Sequence, residues 1–215
     1  MSVNVKGVVS AILTGVVALA FSTALFAQTV EIPRAAYVHK RIITQQARLI
    51  WGLDAPTATF AAQIHQESLW RADAVSSAGA RGLAQFMPST GDWIVTVYKS
   101  LGEHEPENPT WAIRAMITYD LHLYRLVDGA NNCERFAKAL SAYNGGLTWV
   151  SRDEALASAA GVDTAYWFGG VESYSARASW AKAENRNYTR RILTELEPAY
   201  IAAGFGSGMC ERGKA

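Results

Sequence analysis

The chain has 215 residues, half of them hydrophobic and 11% aromatic, and its formal net charge is +1. This composition supports a packed core and excludes a disordered chain, and the length fits one domain after a targeting segment. Lysine and arginine form no basic block, which excludes nucleic acid as the main partner. Two cysteines and four scattered histidines lack metal-ligand spacing, so we expect neither a metal nor another cofactor.

The first predicted element is a targeting segment at residues 1–27. Lys6 supplies a positive charge, and residues 8–27 follow without a charged side chain. Ala27 or Ala24 offers a small residue for cleavage of a signal peptide. The uncharged run is also close to the ~20 residues of a spanning helix, so a retained membrane tether is the alternative. Either interpretation predicts an exported domain in the periplasm or cell envelope.

Residues 28–215 are predicted to form one all-α domain. Apolar side chains recur at helical spacing, and glycine or proline marks the ends of the helices. The predicted helices cover 33–50, 57–70, 88–98, 109–127, 132–143 and 180–196, the last ended by Pro198. Residues 72–82 are predicted to form a loop, and 151–179 an irregular segment. That segment is either an insertion on a binding face or an irregular part of the core.

Cys133 and Cys210 are consistent with export. In an oxidising compartment they could pair and tie the C-terminal tail to the middle of the domain. Two unrelated thiols, one buried and one in the tail, are the alternative.

A carboxylate continues the apolar stripe of the predicted helix 57–70. Phe60, Ile64 and Glu67 follow one another at i, i+4 and i+7, so they share a face. Burial and the negative end of the helix dipole would both raise the pKa of Glu67, as a general acid requires. A glutamate at the edge of the stripe that reaches solvent is the alternative.

Four blocks around this glutamate carry a resemblance. They are Glu-Ser at 67–68, Gly-Leu-Ala-Gln-Phe-Met-Pro-Ser-Thr at 82–90, Ala-Tyr-Asn-Gly-Gly at 142–146 and Glu-Asn-Arg-Asn-Tyr at 184–188. Their order and spacing resemble the catalytic domain of soluble-type lytic transglycosylases, the goose-lysozyme-like branch of the lysozyme superfamily, over residues 48–196. The chain departs from the family pattern at Ala84, Phe86 and Asn185, which affects subsite packing.

The resemblance implies a lysozyme-like helical domain with a substrate groove and Glu67 as its single catalytic acid/base. It also implies a set of groove residues: Ser76, Gln85 and Met87 beside Glu67, Tyr143 and Asn144 facing it, and Glu184 and Tyr188 on the far wall.

The implied reaction is lytic cleavage of the β-1,4 bond between N-acetylmuramic acid (MurNAc) and N-acetylglucosamine (GlcNAc). Because a single carboxylate is assigned, the substrate's 2-acetamido group would supply the nucleophile, and a 1,6-anhydroMurNAc end would form. A muramidase-type hydrolase on the same fold and a non-catalytic glycan-binding module are the alternatives. A membrane-surface protein is disfavoured because no basic amphipathic face is evident.

The expected partner is the glycan strand of peptidoglycan. The sequence leaves three settings open: wall turnover, local opening of the wall for an envelope-spanning secretion or conjugation machine, and phage lysis.

Overall fold

A computed structural model of the chain describes residues 30–210. The expected targeting segment at 1–27, and with it the tether at 8–27, lies outside the described residues. Within the part that is described, no helix is both long enough and apolar enough to span a bilayer.

Residues 30–210 are mainly helical, which confirms the predicted fold class. The α-helices are α1 Arg34–Ile50, α2 Thr57–Ser68, α3 Pro88–Val97, α4 Pro109–Leu126, α5 Asn132–Gly145, α6 Leu147–Ala159, α7 Ser179–Arg190 and α8 Glu197–Ala202. Short 3-10 turns occupy Lys99–Leu101 and Val171–Ser173, and a π-helical segment, Arg191–Leu196, joins α7 to α8.

Two elements differ from the sequence prediction. The predicted irregular segment 151–179 begins inside α6, which starts directly after the glycine pair that ends α5. Pro198 was expected to end the last helix, but the chain stays helical through α8. Pro198 lies in the first turn of α8, where the backbone N–H groups have no partner within the helix, so its missing donor costs little.

The α2 helix lies at the centre of the domain. It packs against α1, α8 and the π-helical segment, and nine consecutive residues, Thr57 to His65, are buried. A helix buried on all sides requires side chains that let its neighbours approach, and α2 supplies alanine and threonine at most of these positions. The single apolar stripe inferred from the sequence is therefore one side of a helix that is enclosed on nearly all sides.

Aromatic rings fill the core between α1, α2 and α5. Phe60 is fully buried, with its ring centroid 5.4 Å from that of Trp51 and 6.1 Å from that of Phe136. The approaches are edge-to-face, the arrangement that the ring quadrupoles favour.

Polar groups attach the irregular segment after α6 to α5. Glu134 accepts hydrogen bonds from the backbone N–H groups of Trp167 and Phe168 at 2.7 and 3.0 Å. Lys138 is buried, and its Nζ donates to Glu154 and to the Thr164 carbonyl, both at 2.6 Å. Trp167 is fully buried, so this part of the segment belongs to the core.

A disulfide joins Cys133, at the start of α5, to Cys210. The Cα atoms are 4.6 Å apart and the cysteines are separated by 77 positions in the sequence. Closing a loop of this size lowers the entropy of the unfolded chain, which stabilises the fold by roughly 4 kcal/mol.

We expect the double variant Cys133→Ser, Cys210→Ser to fold but to unfold at a lower urea concentration, with a loss of up to about 4 kcal/mol. Dithiothreitol should lower the urea concentration at which half of the wild type is unfolded to the value of the variant, and should not change the value of the variant. Equal midpoints for the oxidised wild type and the variant would show that the disulfide does not stabilise the domain.

Candidate active site

The candidate site is built on the last turn of α2. The helix ends at Ser68 because Leu69 and Trp70 adopt left-handed conformations, with φ of 53° and 65°. Such conformations are costly for residues other than glycine and persist only where surrounding contacts hold them. Trp70 is held by burial and by a hydrogen bond of 2.6 Å from its Nε1 to the Tyr200 hydroxyl. The turn fixes where α2 stops and therefore where Glu67 lies.

Three consecutive carbonyl groups of the loop after α2 each accept a side-chain hydrogen bond. Gln85 Nε2 donates to the Gly82 carbonyl at 3.0 Å, and Ser68 Oγ donates to that of Leu83 at 2.9 Å. The Tyr143 hydroxyl donates to the Ala84 carbonyl at 2.7 Å. The loop is thereby fixed to the end of α2 on one side and to α5 on the other.

Glu67 borders a cavity of about 370 Å³ between α2, the end of α5, and α7. Tyr188 is buried, with only 4% of the residue exposed, and its hydroxyl donates a hydrogen bond of 2.5 Å to Glu67 Oε1. This bond fixes one carboxyl oxygen against α7.

The environment of Glu67 favours its protonated form. Burial raises the pKa of the carboxyl to about 8, although the hydrogen bond from Tyr188 acts in the opposite direction by stabilising the carboxylate. Glu67 is therefore largely protonated at neutral pH, while its partial exposure at the cavity leaves it accessible. A proton donor of this kind is what general acid catalysis requires.

The two tyrosines near Glu67 are neutral hydrogen-bond donors. Burial, followed by the negative charge of Glu67, raises the pKa of Tyr143 and of Tyr188 well above the usual range of a phenol. Tyr188 donates to Glu67 itself, whereas Tyr143 donates to the loop carbonyl of Ala84. Their roles thus differ: one tyrosine contacts the acid, and the other holds the loop beside it.

A second buried carboxyl, Asp120 of α4, lies behind the site. It is fully buried, and Asp120 Oδ1 accepts a hydrogen bond of 3.1 Å from Gln63 Nε2, one turn before Glu67 on α2. Burial raises the pKa of Asp120 well above its usual range, and the charge of Glu67 raises it further despite the bond from Gln63. Asp120 Oδ2 and Gln63 Oε1 have no hydrogen-bond partner among the described residues.

The turn at 142–146 places Asn144 at the cavity. Asn144 is exposed, and its Oδ1 accepts a hydrogen bond of 2.8 Å from Asn185 Nδ2. Asn185 is buried and also binds Ser141 through both its amide atoms, at 2.7 and 2.9 Å. The asparagine at 185, a departure from the family pattern, therefore connects α7 to this turn.

The structure brings together four of the eight residues that the sequence assigned to the site: Glu67, Asn144, Glu184 and Tyr188 line one cavity. Tyr143 supports the loop beside it. Ser76 accepts a hydrogen bond from the Ala80 N–H, Gln85 binds the Ala74 and Gly82 carbonyls, and Met87 is exposed just before α3. For Ser76, Gln85 and Met87, contact with a sugar stays a prediction.

Sequence reasoning missed Gln66, Asn187 and Arg191 in the cavity lining, and Asp120 behind it. Helical spacing could have found Arg191, because it follows Glu184 and Tyr188 at i+7 and i+3 on one face. The sequence carries no comparable signal for Asp120, since its proximity to Glu67 depends on how α4 packs.

A larger cavity, of about 830 Å³, lies along the outer face of α1. Its lining residues include Lys40, Arg41 and Arg48 but no carboxylate, so it offers no acid for the expected chemistry. Within residues 30–210, no cluster of three or more His, Cys, Asp or Glu side chains could hold a metal ion.

We expect Asp120→Asn to become increasingly more stable than the wild type as pH rises. The pKa of Asp120 is higher in the folded protein than in the unfolded chain, so the protonated carboxyl favours the folded state. This stabilisation is fully present below the pKa of the unfolded chain and is lost as pH rises through the pKa of the folded protein. Asparagine does not ionise, and its side-chain oxygen can still accept the hydrogen bond from Gln63. The difference in free energy of unfolding between the variant and the wild type should grow by up to about 1.4 kcal/mol per pH unit between these two pKa values.

Urea unfolding of both proteins between pH 4 and pH 9 measures this difference. The control is Asp128→Asn, which alters an exposed aspartate just after α4 and should show little pH-dependent gap. A constant gap between Asp120→Asn and the wild type over this range would show that Asp120 is ionised in the folded protein.

The model of the transglycosylase SLT domain family matches residues 45–165. The membrane-bound lytic murein transglycosylase F of Maricaulis maris (strain MCS10) is 34% identical over 108 residues, which cover 50% of this chain and 22% of that protein. The chain thus spans about a fifth of the length of this curated relative.

Two solved structures share the fold. The 70 kDa soluble lytic transglycosylase SLT70 from Escherichia coli aligns with a TM-score of 0.59 and 23% identity, over 80% of this chain and 25% of that one. The complex of the 70 kDa soluble lytic transglycosylase with bulgecin A aligns with a TM-score of 0.56 and 23% identity, over 82% and 26% of the two chains. At this identity the likeness concerns the fold alone.

The family match includes three of the four sequence blocks, those at 67–68, 82–90 and 142–146, while Glu184 and Tyr188 lie beyond its end. The expected resemblance to soluble-type lytic transglycosylases is confirmed. Because the match covers more than half of its residues, the chain belongs to the transglycosylase SLT domain family.

Proposed function

We propose that this chain is a peptidoglycan lytic transglycosylase that cleaves the MurNAc–GlcNAc β-1,4 bond and leaves a 1,6-anhydroMurNAc end. The observation that carries the proposal is Glu67, a carboxyl with a pKa of about 8 that borders a cavity and binds Tyr188. Membership of the SLT family and the likeness to a lytic murein transglycosylase support it.

In the first step Glu67 acts as the acid. Its proton moves to the glycosidic oxygen as the bond from that oxygen to the anomeric carbon breaks, and GlcNAc leaves with a free hydroxyl. Glu67 becomes a carboxylate, which the Tyr188 hydroxyl stabilises through its bond of 2.5 Å to Oε1. The same hydrogen bond therefore grows stronger as the reaction proceeds.

The substrate supplies the nucleophile. The 2-acetamido oxygen of MurNAc attacks its own anomeric carbon on the face opposite the leaving group. Two-carboxylate glycosidases use a second carboxylate for this step or to activate water. Asp120 does not suit that role, because it is fully buried and burial raises its pKa, which disfavours the carboxylate.

In the second step Glu67 acts as the base. The carboxylate takes the proton from the 6-hydroxyl of the same MurNAc, O6 bonds to the anomeric carbon, and the bond from the acetamido oxygen breaks. Glu67 is protonated again and no water is consumed, so the reaction is a lyase reaction. One residue thus serves both proton transfers.

We further propose that the enzyme acts in the cell envelope. The uncharged segment at 8–27 and the Cys133–Cys210 disulfide support export to an oxidising compartment. Peptidoglycan strands are the partner that this location would provide.

The test is digestion of purified sacculi, with mass spectrometry of the released muropeptides. We expect the wild type to release products that end in 1,6-anhydroMurNAc, and Glu67→Gln to lower the rate at least about a hundredfold, because glutamine transfers no proton. Matched thermal unfolding of the two proteins would show that the variant is folded.

Other products would point to the alternatives. Reducing ends, heavier by one water, would make the enzyme a muramidase-type hydrolase that still uses Glu67. Binding of sacculi by the folded wild type without release of any product would identify a glycan-binding module.

The activity should depend on pH through Glu67. We expect kcat/KM to fall as pH rises through about 8, because the acid loses its proton. In Tyr188→Phe the fall should move to higher pH, since the variant lacks the hydrogen bond that favours the carboxylate. Activity that is flat to pH 10, or a fall centred near pH 4.5, would contradict the assignment of Glu67 as the acid.

A further inference from the structure

A second cavity continues the site away from Glu67. It has a volume of about 410 Å³ and shares Asn144 and Glu184 with the cavity that holds the acid. Its other lining residues include Trp149, Arg177 and Trp180. A glycan bound at Glu67 would therefore have this cavity beside it.

Arg177 is a buried cation at this cavity. Its side chain is 4% exposed and lies beneath the turn that carries Asn144. A Cβ atom at position 145 would be 2.5 Å from Arg177 Nη1, so any other residue at 145 would force the guanidinium to shift. The glycine after Tyr143-Asn144 thus allows a positive charge to lie directly next to the substrate-facing turn.

The positive charge around Arg177 is incompletely balanced. The buried carboxylate of Asp153 is shared by two guanidinium groups, with Arg186 Nη2 at 2.8 Å and Arg177 Nη2 at 3.5 Å. Arg186 has further acceptors, the carbonyls of Glu172 and Tyr174. Arg177 Nε and Nη2, both buried, have no hydrogen-bond acceptor among the described residues, and the second oxygen of Asp153, Oδ1, has no donor. Burying a cation with poor compensation is costly, and an anion in the cavity would offset that cost.

Two tryptophans give the cavity apolar walls. Trp149 lies under the Arg177 guanidinium, 5.5 Å from its ring centroid, and Trp180 is 73% exposed at the rim. A large aromatic ring left this exposed beside a cavity is typical of a surface that a ligand covers. The carboxylate of Glu184 also lines the cavity, but it is exposed, so solvent screens its charge.

We propose that this cavity binds a carboxylate of the peptide stem carried by MurNAc, with Arg177 as the anion-binding group and Trp180 covering the stem. The proposal rests on the proposed function, because it assumes a peptidoglycan strand at Glu67. In such a strand the sugars are neutral where the lactyl group is linked to the stem, so the carboxylates belong to the peptide. A guanidinium beside aromatic faces suits a carboxylate on a peptide better than it suits a neutral sugar.

The experiment is calorimetric titration of the Glu67→Gln protein, which binds without cleaving, with three ligands. These are a peptidoglycan tetrasaccharide with tripeptide stems, the same compound with its stem carboxyls amidated, and chitotetraose. We expect the stem carboxylates to tighten Kd by about tenfold over the amidated compound. Adding Arg177→Gln should abolish that difference and leave the Kd for chitotetraose unchanged.

Two further variants in the same background separate binding from folding. Trp180→Ala alters an exposed ring, so it should keep the unfolding temperature and still weaken binding of the stem-bearing ligand. Arg152→Gln is the matched control: its exposed guanidinium also lies near Trp149, at 5.0 Å, but does not line the cavity. It should retain the tenfold difference.

Equal Kd values for the stem-bearing and amidated ligands in the Glu67→Gln protein would overturn the proposal. So would an equal loss of affinity for all three ligands in the Arg177→Gln variant, which would assign Arg177 a purely structural role. Failure of the proposed function would look different: the wild type would release no 1,6-anhydroMurNAc ends from sacculi, whatever the three Kd values are.

Discussion

The site depends on the enclosure of α2. Because the helix is buried on nearly all sides, the carboxyl in its last turn cannot turn fully to solvent, and burial raises the pKa of Glu67 to about 8. The same enclosure fixes the residue in space, since α2 has no free face on which to shift. The packing that stabilises the domain thus also favours the protonated form of Glu67, and in the proposed reaction Tyr188 would stabilise the carboxylate that forms.

The structure also fixes the position of Glu67 and of the loop beside it. Left-handed residues at 69 and 70 end α2, and side chains from α2, α5 and the loop itself hold the carbonyls of residues 82–84. Gln85, also left-handed at φ 48°, lies in this loop. Ser68, Gln85 and Tyr143 therefore have structural reasons to stand where the family pattern places them, whether or not a sugar contacts them.

The sequence predicted what local periodicity and motif order can encode. Helices α1, α4 and α5 follow their predicted ranges to within two residues, and Glu67 lies where the pattern placed it. The sequence did not predict the features that depend on tertiary packing. Helix α6 carries a weak periodic signal, Pro198 lies in the first turn of a further helix instead of ending the last one, and Asp120 approaches Glu67 only once α4 packs. The role of Gly145 depends on Arg177, a residue 32 positions later.

The two cavities, one at Glu67 and one at Arg177, differ in the buried charge that surrounds them. In the cavity at Glu67 and behind it, burial raises the pKa of carboxyls and phenols, which favours their uncharged forms. Around Asp153, two guanidinium groups share one buried carboxylate. A neutral glycosidic bond suits the cavity at Glu67, because charge should appear there only in the transition state. A permanently charged substituent suits the second, which is why the two cavities should recognise different parts of one strand.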